Sequence, residues 1–160
     1  MPATPIAAVQ RYYPKGSLKW IFVATIANKS LVTRAEINSG TDLTKQVAAW
    51  SGFTTSTQFV NTPDANSRFT SKITGDIEAE DSSLTIYLDP SGNDARQLMP
   101  QDTIGYILRM DAGDVPGRRM DNFPIQVGSV GKPFEMGDAV VGVFSFAITD
   151  EPAQNIAIPA

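Results

Sequence analysis

From Phe69 to Glu80 the run FTSKITGDIEAE alternates without a break. Phe69, Ser71, Ile73, Gly75, Ile77 and Ala79 form one set; Thr70, Lys72, Thr74, Asp76, Glu78 and Glu80 form the other. Successive side chains of a strand point to opposite faces, whereas a helix would scatter both sets around its circumference. Twelve residues of period two therefore demand a β-strand, and the rest of the chain must cover its apolar face. The expectation is a long half-buried strand with its apolar set on the core. A turn at Asp81–Ser82 leads into SLTIYLD, which places the acidic end of the strand near the tip of a hairpin.

Other segments read the same way. LKWIFVATIA (18–27) is β-branched and aromatic, and FTTSTQFVN (53–61) is a strand closed by the turn material TPDANS. Three further strands begin at Asp102, Asp121 and Asp138. In TDLTKQVAAWSG (41–52), Leu43, Val47 and Trp50 are spaced i, i+4, i+7, with Thr41 or Asp42 as cap and Gly52 as stop; this favours a short helix, while strand alternation also fits part of the segment. SGNDARQLMP predicts another, capped by Ser91 or Asn93 and ended by Pro100. Seven strands and one or two short helices predict a mainly β protein, a sandwich or barrel. Pro2, Pro5, Pro14 and Gly16 make 1–17 an extended N-terminal arm. The β-sandwich domain is expected over 18–150, with 151–160 as an extended C-terminal tail.

The chain contains no cysteine and no histidine, which removes thiolate nucleophiles, His-based triads and the usual zinc, copper and haem ligands. Four carboxylates fall within Asp76–Asp81. A two-carboxylate glycosidase would use Asp76 and Glu78, but nothing aromatic is expected on their face to hold a sugar. DPSGND (89–94) has oxygen donors around a glycine but lacks the spacing and closing glutamate of a calcium loop, and it reads as a turn. The arginines of GDVPGRRMD, Arg118 and Arg119, flank an ordinary surface turn, and SGTDL lacks the residues of a phosphate loop. No catalytic, cofactor-binding or metal-ligating set is assigned, and the chain is not expected to be an enzyme.

With 160 residues and 42% hydrophobic content, one domain with a full core is expected. The longest apolar stretch, Trp20 to Ala27, is too short to span a bilayer, and the N-terminus does not read as a signal peptide. Net charge is −4, which argues against binding nucleic acid by phosphate neutralisation. Residues 1–35 carry Arg11, Lys15, Lys19, Lys29 and Arg34 and no acid, leaving −9 on the other 125 residues. Such asymmetry suits a basic segment, with Arg11, Lys15 and Lys19 as candidates, that docks on an acidic surface of a neighbouring subunit.

The run TPDANSRFTSKITGDIEAEDSSLTIYLDPSGNDAR, with RAEINSGTDL, WSGF and FAITDEPAQNIAIP in that order, resembles the major tail tube protein of bacteriophages with long, flexible, non-contractile tails. The likeness covers about residues 33–160 and is nearest to the versions found in actinobacterial phages and prophages. It implies a β-sandwich with a flanking helix, assembled into hexameric rings that stack into a tube around a tape-measure protein. The tube, assembled in the host cytoplasm and carried on the virion, then conducts DNA from capsid to cell without binding it specifically. Tail terminator and baseplate or tip proteins would be further partners, with no membrane, no cofactor and no active site. On this reading Asp76, Glu78 and Glu80 form a candidate lumen-facing acidic row, the alternative being an interface with a basic arm. Two other readings compete: a related tube or connector subunit, such as a tail terminator or secretion-tube protein, and a carbohydrate-binding or hydrolytic β-sandwich.

Overall fold

The run WIFV, Trp20–Val23, has no polar face to turn to water, so a strand built from it needs cover on both sides. The computed structural model, which describes residues 2–160, supplies that cover. Strand β1 (Lys19–Val23) sends Trp20 and Phe22 into one apolar cluster and Ile21 and Val23 into another. Next in sequence come α1 (Arg34–Ser39), β2 (Thr41–Asp42), β3 (Val47–Ser51), β4 (Thr55–Thr62), β5 (Ser71–Ala79) and β6 (Ser82–Tyr87). They are followed by α2 (Ala95–Leu98), β7 (Ile104–Met110), β8 (Arg119–Gly131), β9 (Val141–Ile148) and β10 (Ala153–Ala157). The expectation of a mainly β protein with one or two short helices holds, with ten strands rather than about seven, and neither helix is long and apolar enough to cross a membrane.

The main sheet is antiparallel in the order β2-β1-β7-β8-β9-β6-β3, with β10 added on β8. Strands β1 and β3 lie five places apart, which in a flat sheet would separate them by roughly 24 Å. Yet the rings of Trp20 and Trp50 are 5.8 Å apart. The sheet is therefore curled on itself, and its inner face closes over Phe22, Phe53, Leu84, Ile86, Phe123 and Phe144. On the outer face of β1 and β7, helix α1 lays Ile37 against Val23, Leu108 and Met110. Its start is fixed by a capping box, in which Thr33 accepts from the Glu36 N–H and the Glu36 carboxylate accepts from the Thr33 N–H.

Several expectations are corrected. Residues 41–52 are not a helix. One helical turn, closed by the Val47 N–H donating to the Leu43 carbonyl, puts Leu43 and Val47 on the same side, and the chain then enters β3. Trp50 belongs to that edge strand and remains about half exposed. Residues 151–160 are not a tail outside the domain: β10 pairs with β8, and Ile158 is buried in the outer cluster. The cap of α2 is Asp94, whose carboxylate accepts from the Arg96 N–H and guanidinium, rather than Ser91 or Asn93.

The long alternating strand departs furthest from expectation. β5 pairs with β4, not with β6, and these two strands form a separate ribbon that leaves the main sheet. The turn TPDANS is therefore its far end, and the acidic end of β5 lies at the root, where the chain rejoins the body at Ser82.

Candidate functional site

In the ribbon, cross-strand partners share a face, so the register fixes two surfaces. One carries Thr55, Thr57, Val60 and Thr62 from β4 with Ser71, Ile73, Ile77 and Ala79 from β5. The other carries Ser56, Phe59 and Asn61 with Lys72, Thr74, Asp76 and Glu78; a bulge at Thr57–Phe59 lets β4 keep this division. The apolar face has no core beneath it. Ile73 is 57% exposed, Ile77 59% and Val60 50%, and none of them belongs to either apolar cluster. No residue of the ribbon is buried, and only Thr55, Thr62 and Gly75 are partly covered, so a strand with core-type alternation presents that pattern to solvent.

Asp76, Glu78 and Glu80 continue one row along the opposite face, all exposed and all without an ion pair among the described residues. Lys72 shares their face but stands four residues farther toward the tip, about 13 Å from Asp76. It therefore leaves the root of the row strongly negative. The expectation that nothing aromatic shares this face is corrected: Phe59 lies on it opposite Thr74, supplied by β4, a strand that the alternation of β5 alone does not disclose.

The root is built from WSGF. Gly52 and Phe53 both adopt left-handed backbone, at φ 75 and 56, a sharp reversal that drives the Phe53 ring inward while the chain turns out into β4. That ring packs against Trp20, Phe123 and Phe146 with centroids 5.0, 5.3 and 6.0 Å away. The Ser82 hydroxyl accepts from the Phe53 N–H at 2.9 Å and donates to the Glu80 carbonyl at 3.0 Å, tying the outgoing strand to the returning one. Arg109 donates to the Phe53 carbonyl at 3.2 Å while its guanidinium lies 5.5 Å over Phe123 and pairs with Asp121. The ribbon is thus held by a rigid, buried foot.

The arm leaves the body at Pro14, whose carbonyl accepts from the N–H groups of Ser17 and Leu18. Beyond that anchor Ile6 is 90% exposed, Val9 78% and Tyr13 76%. Arg11 and Lys15 are exposed and make no ion pair among the described residues. Lys19, expected as part of the docking arm, instead begins β1 beside β2 and pairs with Asp42 at 2.9 Å. Lys29 and Arg34 are likewise committed, to Asp150 and Asp114. Three of the five cations in the first 35 residues are therefore neutralised inside the chain, and the free positive charge lies in the arm itself.

Between the ribbon's root and the β9–β10 corner opens a groove of about 490 Å³, lined by Thr55, Ile77, Ala79, Ile148, Glu151 and Pro152 with Asp76 and Asp150. Lys29, and then the Glu151 N–H, hold the Asp150 carboxyl below its ordinary value. No group of three or more His, Cys, Asp or Glu among the described residues is placed to hold a metal ion.

A family model described as phage tail tube protein matches residues 6–160. No curated protein matches the sequence. Among solved structures, the chain is similar to one described as the sheath/tube terminator of an extracellular contractile injection system, PVC, in its extended state. The TM-score is 0.63 at 15% identity, over 91% of this chain and 97% of the other, a likeness of fold.

Proposed function

We propose that this chain, which belongs to the phage tail tube protein family, is the major subunit of a long non-contractile tail tube. In this reading six copies form a ring, and rings stack around a tape-measure protein into a channel that later carries DNA from capsid to host. The observation that carries it beyond the family is the ribbon. A two-stranded ribbon is marginal alone in water, and this one rests on a rigid foot with Val60, Ile73 and Ile77 bare. Such a face suits burial by a second copy. A contact that joins different surfaces of successive copies gives a ring when the rotation between copies closes, and an axial contact of the same kind stacks such rings.

The likeness to a sheath/tube terminator favours a second reading, a subunit that forms one capping ring and stops. Electron microscopy of the concentrated protein, alone and with tape-measure and initiator proteins, separates the two. Open-ended hollow tubes are the expected result; single rings select the terminator, and a persistent monomer defeats both.

The acidic row fits the channel wall. Carboxylates do not condense on phosphate, whereas a cationic wall would release counterions and hold the duplex. Replacing Asp76, Glu78 and Glu80 together by lysine is expected to leave tubes intact and slow DNA ejection by roughly tenfold or more. Loss of assembly in that variant would place the row in an inter-subunit contact instead.

A further inference from the structure

The most exposed apolar side chains of the arm, Ile6 and Val9, sit on a segment with free cations and no acid. The groove at the ribbon's root has the opposite character: an apolar floor of Ile77, Ala79, Ile148 and Pro152 under a rim of carboxylates. Of these, Asp150 is already matched by Lys29 and Asp76 turns to the ribbon's opposite face, but Glu151 at the mouth of the groove is not matched by any cation among the described residues. We propose that this groove is the receptor for the N-terminal arm of a second copy, with the short segment around Val9 and Arg11 lying in it, Val9 on the floor and Arg11 against Glu151. The inference rests on the tube reading and adds to it the place where one subunit grips the next.

The chemistry of the two surfaces supports that occupant. An extended arm puts Val9 and Arg11 on one side about 7 Å apart, so one side chain meets the floor while the next reaches the rim. Pro2 and Pro5 stiffen the arm and lower the entropy lost on docking. Pro14, hydrogen-bonded to Ser17 and Leu18, gives it a fixed base. A single exposed ion pair contributes little, but an arm tethered in every subunit acts at high effective concentration.

The absence of native cysteine makes a direct test available. The single variants Val9→Cys and Ala79→Cys, both at exposed positions, are mixed, assembled and oxidised. The expected product is the mixed disulfide between the two chains, dominant over either homodimer. Arg11→Glu in the first chain should cut its yield about two- to fivefold, and Glu151→Lys in the second should restore it. Tubes that form without the mixed disulfide overturn the inference and leave the tube reading standing. So does a Val9→Cys/Ala79→Cys double variant that closes within one chain, since the arm would then fill its own groove. A protein that forms neither rings nor tubes overturns both.

Discussion

Replacing Ile73 and Ile77 together by aspartate is expected to abolish assembly while leaving the monomer folded. Both side chains are more than half exposed and lie outside the two apolar clusters, so the domain loses almost no packing. The thermal transition of the monomer should move by no more than a few degrees. In an assembled ring the same two positions would be covered. Each isoleucine then contributes about 1 kcal/mol from the half of its surface still open, and each aspartate substitutes an unpaired carboxylate costing several kcal/mol to bury. The penalty recurs at every subunit contact, so the expected outcome is a monomer at all practical concentrations rather than a weakened tube. Thr74→Asp is the control, because it adds charge to the opposite, already acidic face. Sedimentation and electron microscopy read the result. Tubes formed by the double variant at the wild-type concentration would show that the apolar face is not an assembly surface.

The behaviour of that ribbon also marks how far the sequence could be read. Period two identified β5 as a strand, because alternation is a local property of the backbone. It could not say what the apolar face meets, since a core and a neighbouring subunit ask for the same residues. The same limit produced the error about the acidic end: pairing of β5 with β4 rather than β6 depends on where β6 is claimed by β3 and β9. At 41–52 one helical turn imitates the spacing of a longer helix, and the strand alternation that also fits part of the segment is too short to outweigh it locally. Helix α1 carries a local signal, since Thr33 and Glu36 have the spacing of a capping box. Strand β10 was hidden by its prolines. Pro152 and Pro159 flank the paired residues, where a missing N–H costs the ladder nothing. As for the basic arm, charge counting found it, but the internal partners of Lys19, Lys29 and Arg34 lie far off in sequence or on another strand.

Gly52→Ala is expected to be among the most damaging single substitutions in the chain, although it adds one methyl group. The residue has φ 75, which alanine adopts at a cost of about 1 kcal/mol. Space is the larger obstacle. A Cβ there would stand 2.3 Å from the Asp81 carbonyl oxygen and 2.8 Å from the Ser82 Cα, both backbone atoms that cannot rotate away. Relief requires the returning strand to move, which opens the hydrogen bond from the Phe53 N–H to Ser82 and strands a buried donor, at a further 1–3 kcal/mol. It also lifts Phe53, 0% exposed, from its contacts with Trp20 and Phe123. The total is about 3–5 kcal/mol, within the range of removing a core aromatic ring and a large share of a domain's stability. At 2–4 °C for each kcal/mol, melting should fall by about 10 °C. Gly117→Ala separates the two causes. Gly117 has φ 84 with nothing within 4 Å of its Cβ position, so that variant carries the conformational cost alone and should melt only a few degrees lower. Equal melting shifts for the two variants would mean that the clash is absorbed and that the foot of the ribbon is not rigid. If the foot is rigid, Gly52→Ala should also misdirect the ribbon and lose assembly at temperatures where the domain is still folded, whereas Gly117→Ala should assemble normally.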